Sequence, residues 1–105
     1  QSPYQYEYQL VLLTKERNLV NEFLGHMGKD DGLAIYGLEE VRNALTQGAV
    51  ETAMLSEDSE DALIEEFEEL AENAGSKFEI ISLETREGQQ IKSLSGAAAI
   101  LRYKL

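Results

Sequence analysis

Apolar positions along this chain keep two rhythms, one of three to four residues and one of short unbroken runs, and the two take turns. Leu19, Val20, Phe23, Leu24 and Met27 recur at i, i+1, i+4, i+5 and i+8, which places one apolar stripe on a helix that should stop at Gly28. Lys29-Asp30-Asp31-Gly32 reads as a turn. Leu33-Ala34-Ile35-Tyr36 is then a short strand ended by Gly37, and Leu38, Val41, Ala44 and Leu45 stand at helical spacing up to Gly48. Gly48 occupies the place of a left-handed C-terminal cap, and Glu39 and Glu40 lie in the first turn, where carboxylates favour the positive end of the helix dipole. Ala49 to Leu55 predicts a second strand, closed by Ser56.

Leu63, Phe67, Leu70, Ala71 and Ala74 fall at i, i+4, i+7, i+8 and i+11, predicting a long helix from Ser59 to Ala74 that Gly75 ends. Phe78 to Leu83 reads as a third strand, Thr85 to Leu94 as a short polar helix carrying Ile91 and Leu94, and Ala97 to Tyr103 as a last strand. At the start, Tyr4, Tyr6 and Tyr8 alternate with Gln5, Glu7 and Gln9 before the run Leu10 to Leu13. That period of two fits a strand, so residues 1–14 are expected to be a linker or edge strand ahead of a single α/β domain spanning residues 15–105.

Helices alternating with strands imply a sheet covered on both faces. The expected architecture is a three-layer α/β/α sandwich with a mixed, mostly parallel sheet of four to five strands. Ala97, Ala98 and Ala99 suit a strand over which helices pack closely, since bulk there would hold the layers apart.

Charge and composition narrow the function. The 105 residues include 20 acidic against 9 basic, a formal net charge of -11, opposite to the electrostatic footprint of a phosphate-backbone binder. The absence of cysteine removes disulfides, thiolate metal sites and cysteine nucleophiles. No apolar run approaches the roughly 18 residues that mark a membrane span. Gln1-Ser2-Pro3 lacks the basic-then-apolar layout of a secretory signal, and the chain reads as a domain of a longer protein.

No catalytic constellation emerges. His26, the sole histidine, has no nucleophile or orienting group near it in sequence and is expected to face solvent or cap the helix. Nine acidic and no basic residues lie between Glu57 and Glu72. No glycine interrupts this run to make a calcium loop, so it reads as a solvated helix face or a dock for a basic partner. The carboxylate pairs Glu65–Glu66 and Glu68–Glu69 lack the cleft that would separate their pKa values for acid-base work. Gly37 before a helix is a structural turn rather than an anion site. Arg102, Tyr103 and Lys104 are too few for an RNA-binding patch. No cofactor and no metal are expected.

Three stretches stand out when taken together. The first is Leu19-Val20-x-x-Phe23-Leu24 with Lys29-Asp30-Asp31-Gly32-Leu33-Ala34-Ile35-Tyr36-Gly37. The second is Glu40-Val41-x-x-Ala44-Leu45-x-x-Gly48-Ala49-Val50-Glu51-Thr52 with Leu55-Ser56-Glu57. The third is Ile80-Ile81-Ser82-x-x-Thr85-x-Glu87-Gly88-x-Gln90 with Ala98-Ala99-Ile100-Leu101-Arg102-Tyr103. Together, and in this order, they resemble the C-terminal domain of archaeal-type class 1 peptide chain release factors and of the related ribosome-rescue factor Pelota. Glu87-Gly88-Gln89-Gln90 is not the family's Gly-Gly-Gln motif, and Gln90-Ile91-Lys92-Ser93 only echoes its decoding motif; both of those belong to other domains.

The resemblance implies a fold similar to kink-turn-binding ribosomal proteins and a non-catalytic role in translation termination, in the cytoplasm. The implied partners are an elongation-factor-like translational GTPase, an ABC-type ribosome recycling ATPase and, through the full-length factor, the ribosome. Leu19, Phe23, Ile91 and Leu94 are the implied partner-binding residues, on the first and fourth helices. Release factors usually carry a minidomain after the second strand, whereas here Ser56 leads through Asp58 straight into the acidic helix. Pelota lacks that insertion and is the alternative. A kink-turn RNA binder is disfavoured by the acidic balance, and a stand-alone enzyme by the missing constellation.

Overall fold

The computed structural model describes residues 3–105, with side chains from residue 10 onward. The elements run in the order α1 (Pro3–Lys29), β1 (Ala34–Tyr36), α2 (Leu38–Thr46), β2 (Val50–Ser56), α3 (Asp61–Ala74), β3 (Lys77–Ile81), α4 (Arg86–Ser93) and β4 (Ala97–Leu101).

Two expectations need correction. The stretch from Pro3 to Thr14 is not an edge strand but the first half of α1; Gln1 and Ser2 lie outside the described residues. The tyrosine alternation there competes with a helix already fixed at Val20 and Phe23. Once a helix is nucleated, each further residue adds a hydrogen bond cheaply, and the sequence offers no glycine or interior proline to stop it before Gly25. Pro3 sits at the helix start, where its missing N–H costs nothing.

The second correction concerns the sheet. Its order is β1-β4-β2-β3, and only β2 and β3 pair in parallel, β4 being antiparallel to both β1 and β2. β1, β2 and β3 do run in one direction, as the helix–strand alternation implies. β4 alone is reversed, and because it inserts between β1 and β2 it converts the central pairings to antiparallel. The sheet is therefore mixed and mostly antiparallel.

The sandwich has the expected three layers. On one face Val41, Ala44 and Leu45 of α2 and Phe67 and Ala71 of α3 pack on Ala53, Leu55, Ala97 and Ala99. On the other, Val20 and Phe23 of α1 and Ile91 of α4 pack on Met54, Ile81, Ala98 and Ile100. Ala97, Ala98 and Ala99 have no exposed surface, because alternate residues of the middle strand face opposite helical layers.

The helix ends show how short connections are tolerated. After α2, Gly48 takes φ 73°, its N–H bonds the Leu45 carbonyl and that of Ala49 bonds the Ala44 carbonyl, satisfying carbonyls the helix leaves without partners. Gly75 ends α3 in the same way. The Arg102 guanidinium donates to the carbonyls of Gly48, Ala74 and Gly75, so one side chain past β4 holds the C-terminal ends of α2 and α3 together.

Candidate docking surface

α1 and α4 lie side by side on one face of the sheet, and their apolar stripes decide how. In α1, Val20 and Phe23 are wholly buried. In the shorter α4, Ile91 is wholly buried, and Thr85 caps the first turn by accepting the Gly88 N–H at 2.9 Å. Leu19 and Leu94 are half-buried and pack against the same cluster. The structure thus brings Leu19, Phe23, Ile91 and Leu94 into one neighbourhood. Phe23 and Ile91 form its floor, and only Leu19 and Leu94 keep surface that another molecule could touch.

Polar contacts fix the two helices in register. Arg17 Nε stands 3.4 Å from Glu87 Oε1, and Glu16 Oε2 accepts the Ser82 N–H at 3.2 Å in the connection between β3 and α4. Burial raises the Glu16 carboxyl above its ordinary pKa; the Ser82 hydrogen bond opposes this, while Glu57, Glu79 and Glu84 push it further up. An acid whose pKa is raised by folding binds its proton more tightly in the folded state, so its ionisation weakens the fold as pH rises. Glu16→Gln, which keeps an oxygen for the Ser82 N–H, is therefore expected to raise the Tm at pH 7. That gain should shrink as the pH falls toward the ordinary value of 4.5, as thermal melts across the pH range would show.

The other carboxylates shift the opposite way. Bidentate pairing with Arg42 holds Glu66 below the usual carboxylate range. The Ser56 hydroxyl, donating at 2.7 Å, and then Lys92 do the same for Asp58. Their pairing stabilises the fold above the unfolded carboxylate pKa and is lost on acidification. The link from Ser56 to Lys92 through Asp58 also fastens the short connection after β2 to the end of α4.

His26 acts as a pin. Its Nδ1 lies 2.7 Å from Asp31 Oδ2, and Asp31 Oδ1 accepts the Leu33 N–H, tying the last turn of α1 to the start of β1. The hydrogen bond from His26 holds Asp31 below its usual pKa. Among the described residues no group of three or more His, Cys, Asp or Glu is placed to hold a metal ion. The acidic stretch from Glu57 to Glu72 turns most of its carboxylates to solvent, with Arg42 clasping Glu66 over the Phe67 ring. Sequence reasoning missed Glu16 and Arg42. Ser82, the partner of Glu16, and Glu66, the main partner of Arg42, lie far along the chain; only the pairing of Arg42 with Glu39 one turn earlier in α2 is a local signal.

The chain can be set beside known proteins. A family described as eRF1 domain 3 matches residues 13–105. Peptide chain release factor subunit 1 of Pyrococcus abyssi is 37% identical over 138 aligned residues, covering 87% of this chain and 33% of the relative. The protein pelota homolog of Methanococcus vannielii is 36% identical over 99 residues, covering 91% of this chain and 28% of the relative. Among solved structures, Saccharomyces cerevisiae Dom34, a translation termination-like factor interacting with Hbs1, matches with TM-score 0.78 and 33% identity over 100% of this chain and 32% of its own. Ribosome-bound archaeal Pelota with ABCE1 matches with TM-score 0.78 and 32% identity over 95% of this chain and 29% of its own. The chain spans about a third of the length of the curated relatives it matches. With a match running through every strand and helix from the middle of α1 onward, the chain belongs to the eRF1 domain 3 family.

Proposed function

We propose that this chain is the non-catalytic docking domain of a translation termination factor, a class 1 peptide chain release factor of archaeal type working in the cytoplasm. The observation that carries this reading is the family match across residues 13–105. On this reading the domain meets an elongation-factor-like GTPase and, later, an ABC-type recycling ATPase, and reaches the ribosome as part of the full-length factor. The likeness to Dom34, described as interacting with Hbs1, and to Pelota bound with ABCE1 supports these partners. The contact face is the α1–α4 surface, with Leu19 and Leu94 touching the partner and Phe23 and Ile91 supporting them from beneath.

A second reading is a Pelota-type rescue factor, whose alignment with this chain carries no added length. The Pyrococcus release-factor alignment needs 138 positions to cover 87% of this 105-residue chain, whereas the Pelota alignment covers 91% in 99; the release factor of Saccharolobus solfataricus covers 83% in 88, so a short link after β2 fits either reading. β2 here passes to α3 through only Glu57–Glu60.

Calorimetric titration with the translational GTPase of the same source tests the docking role. The unaltered chain should bind, and Leu19→Ser with Leu94→Ser should weaken binding by about tenfold or more, the loss expected when apolar contacts worth roughly 1.4 kcal/mol or more are removed from an interface core. Circular dichroism of the double variant should match the parent. Binding unchanged by the double substitution would move the contact off this face.

A further inference from the structure

β3 is the last strand of the sheet, paired with β2 on one side and with no strand on the other among the described residues. Its register fixes which backbone groups are free. The Ile81 carbonyl accepts the Glu57 N–H, as expected for the parallel pairing of Ser56 with Ile81, so Ile81 turns its backbone groups toward β2. Because direction alternates along a strand, Glu79 also faces β2, while Phe78 and Ile80 direct N–H and C=O outward. The next outward residue, Ser82, confirms the alternation, since its N–H goes to Glu16 of α1. Glu16 thus marks where the open part of the edge stops.

That edge opens into a groove of about 700 Å³ between α1 and β3. Leu12 and Leu19 of α1 form one wall and Phe78 and Ile80 the strand side; Leu12 is 41% exposed. The charged lining is unbalanced, with Glu16, Glu22, Glu51, Glu68 and Glu79 against Lys15 and Lys77. An exposed edge with half-buried apolar side chains is a template for another strand, and a surplus of carboxylates selects the sign of what can lie there.

We propose that the groove between α1 and the outer edge of β3 docks an extended, lysine- or arginine-rich segment of a partner protein, which adds to the sheet as a strand beside Phe78 and Ile80. Backbone pairing supplies attachment, Leu12 and Leu19 cover alternate apolar side chains, and the surrounding glutamates meet the basic ones. The same carboxylates repel nucleic acid. This site shares Leu19 with the α1–α4 docking face but not Leu94, so substitution at Leu94 tells the two apart.

A capped octapeptide alternating lysine and valine is a direct probe, read by fluorescence anisotropy and by amide hydrogen exchange. The expected result is saturable binding with added protection at the Phe78 and Ile80 amides. Binding should weaken about tenfold for the same peptide N-methylated at alternate residues, which loses its strand pairing, and for Glu79→Lys, an exposed charge reversal. A glutamate–valine octapeptide should not bind, and Leu94→Ser should leave the lysine peptide unaffected. Absence of saturable binding would overturn the proposal. So would binding indifferent to N-methylation, or equal affinity for a single-stranded RNA oligonucleotide, since either reduces the site to general charge attraction.

Discussion

Gly88→Ala should lose most of the stability of the α4 side of the fold. A Cβ at Gly88 would be driven into the Ser82 carbonyl oxygen, with the Ser82 carbonyl carbon at 2.9 Å and Thr85 Oγ1 at 3.2 Å. The obstacle is backbone, held in place by the turn between β3 and α4, so no side-chain rotation relieves it. Either α4 moves off the sheet, withdrawing Ile91 from its buried site, or the Thr85 cap breaks. Overpacking of this kind costs about 1–3 kcal/mol and sometimes more, and the backbone clash puts this case at about 3 kcal/mol or above. In a domain of this size the Tm should fall by more than about 10 °C. Gly25→Ala is the matched control. Nothing lies within 4 Å of a Cβ at Gly25 in α1, so alanine should stabilise the helix by about 0.5–1 kcal/mol. Shifts of opposite sign in thermal melts would confirm the geometry; a neutral Gly88→Ala would mean that α4 approaches Ser82 less closely than these distances require.

Phe23→Ala should be nearly as damaging, and for a different reason. Phe23 has no exposed surface and fills the layer between α1 and the sheet alongside Met54 and Ile100. Emptying such a site costs about 3–5 kcal/mol, a large part of the roughly 5–15 kcal/mol typical of a whole domain. Urea unfolding should show a much lower midpoint with little change in slope. This outcome bears on any binding experiment, because a partner lost by Phe23→Ala would be lost through the fold. Leu19 and Leu94, which retain surface, separate contact from stability; Phe23 and Ile91 do not.

Most of the architecture was legible because its signals are local. The stripes of α2 and α3 and the glycines after each helix carry their own explanation, and the family motifs Gly48-Ala49-Val50 and Leu101-Arg102-Tyr103 sit on a helix cap and on the end of β4. The tyrosine alternation misled because it is also local. Whether Tyr4 to Leu13 is strand or helix is decided further along the chain, at Val20 and Phe23, where tertiary packing anchors α1. Strand direction escaped for a similar reason: alternation tells that a helix comes after each strand but not that β4 will turn back into the middle. In the docking face, helical spacing identified the apolar positions but could not divide them into floor and rim. The groove beside β3 was hidden altogether, being assembled from α1 and a strand some sixty residues later, as the bond from Ser82 to Glu16 shows.

The position of β4 also governs how this domain is born. A chain emerging from the ribosome presents β1, β2 and β3 first, and among the described residues β1 has no neighbour in the sheet other than β4. Until residues 97–101 have cleared the exit tunnel, the β1 segment has no strand to pair with, β2 and β3 expose a second open edge, and Arg102 cannot yet gather the ends of α2 and α3. The complete sheet therefore cannot close until β4 has emerged, and a nascent chain stalled before Ala97 should be more protease-sensitive than one in which Arg102 has cleared the tunnel.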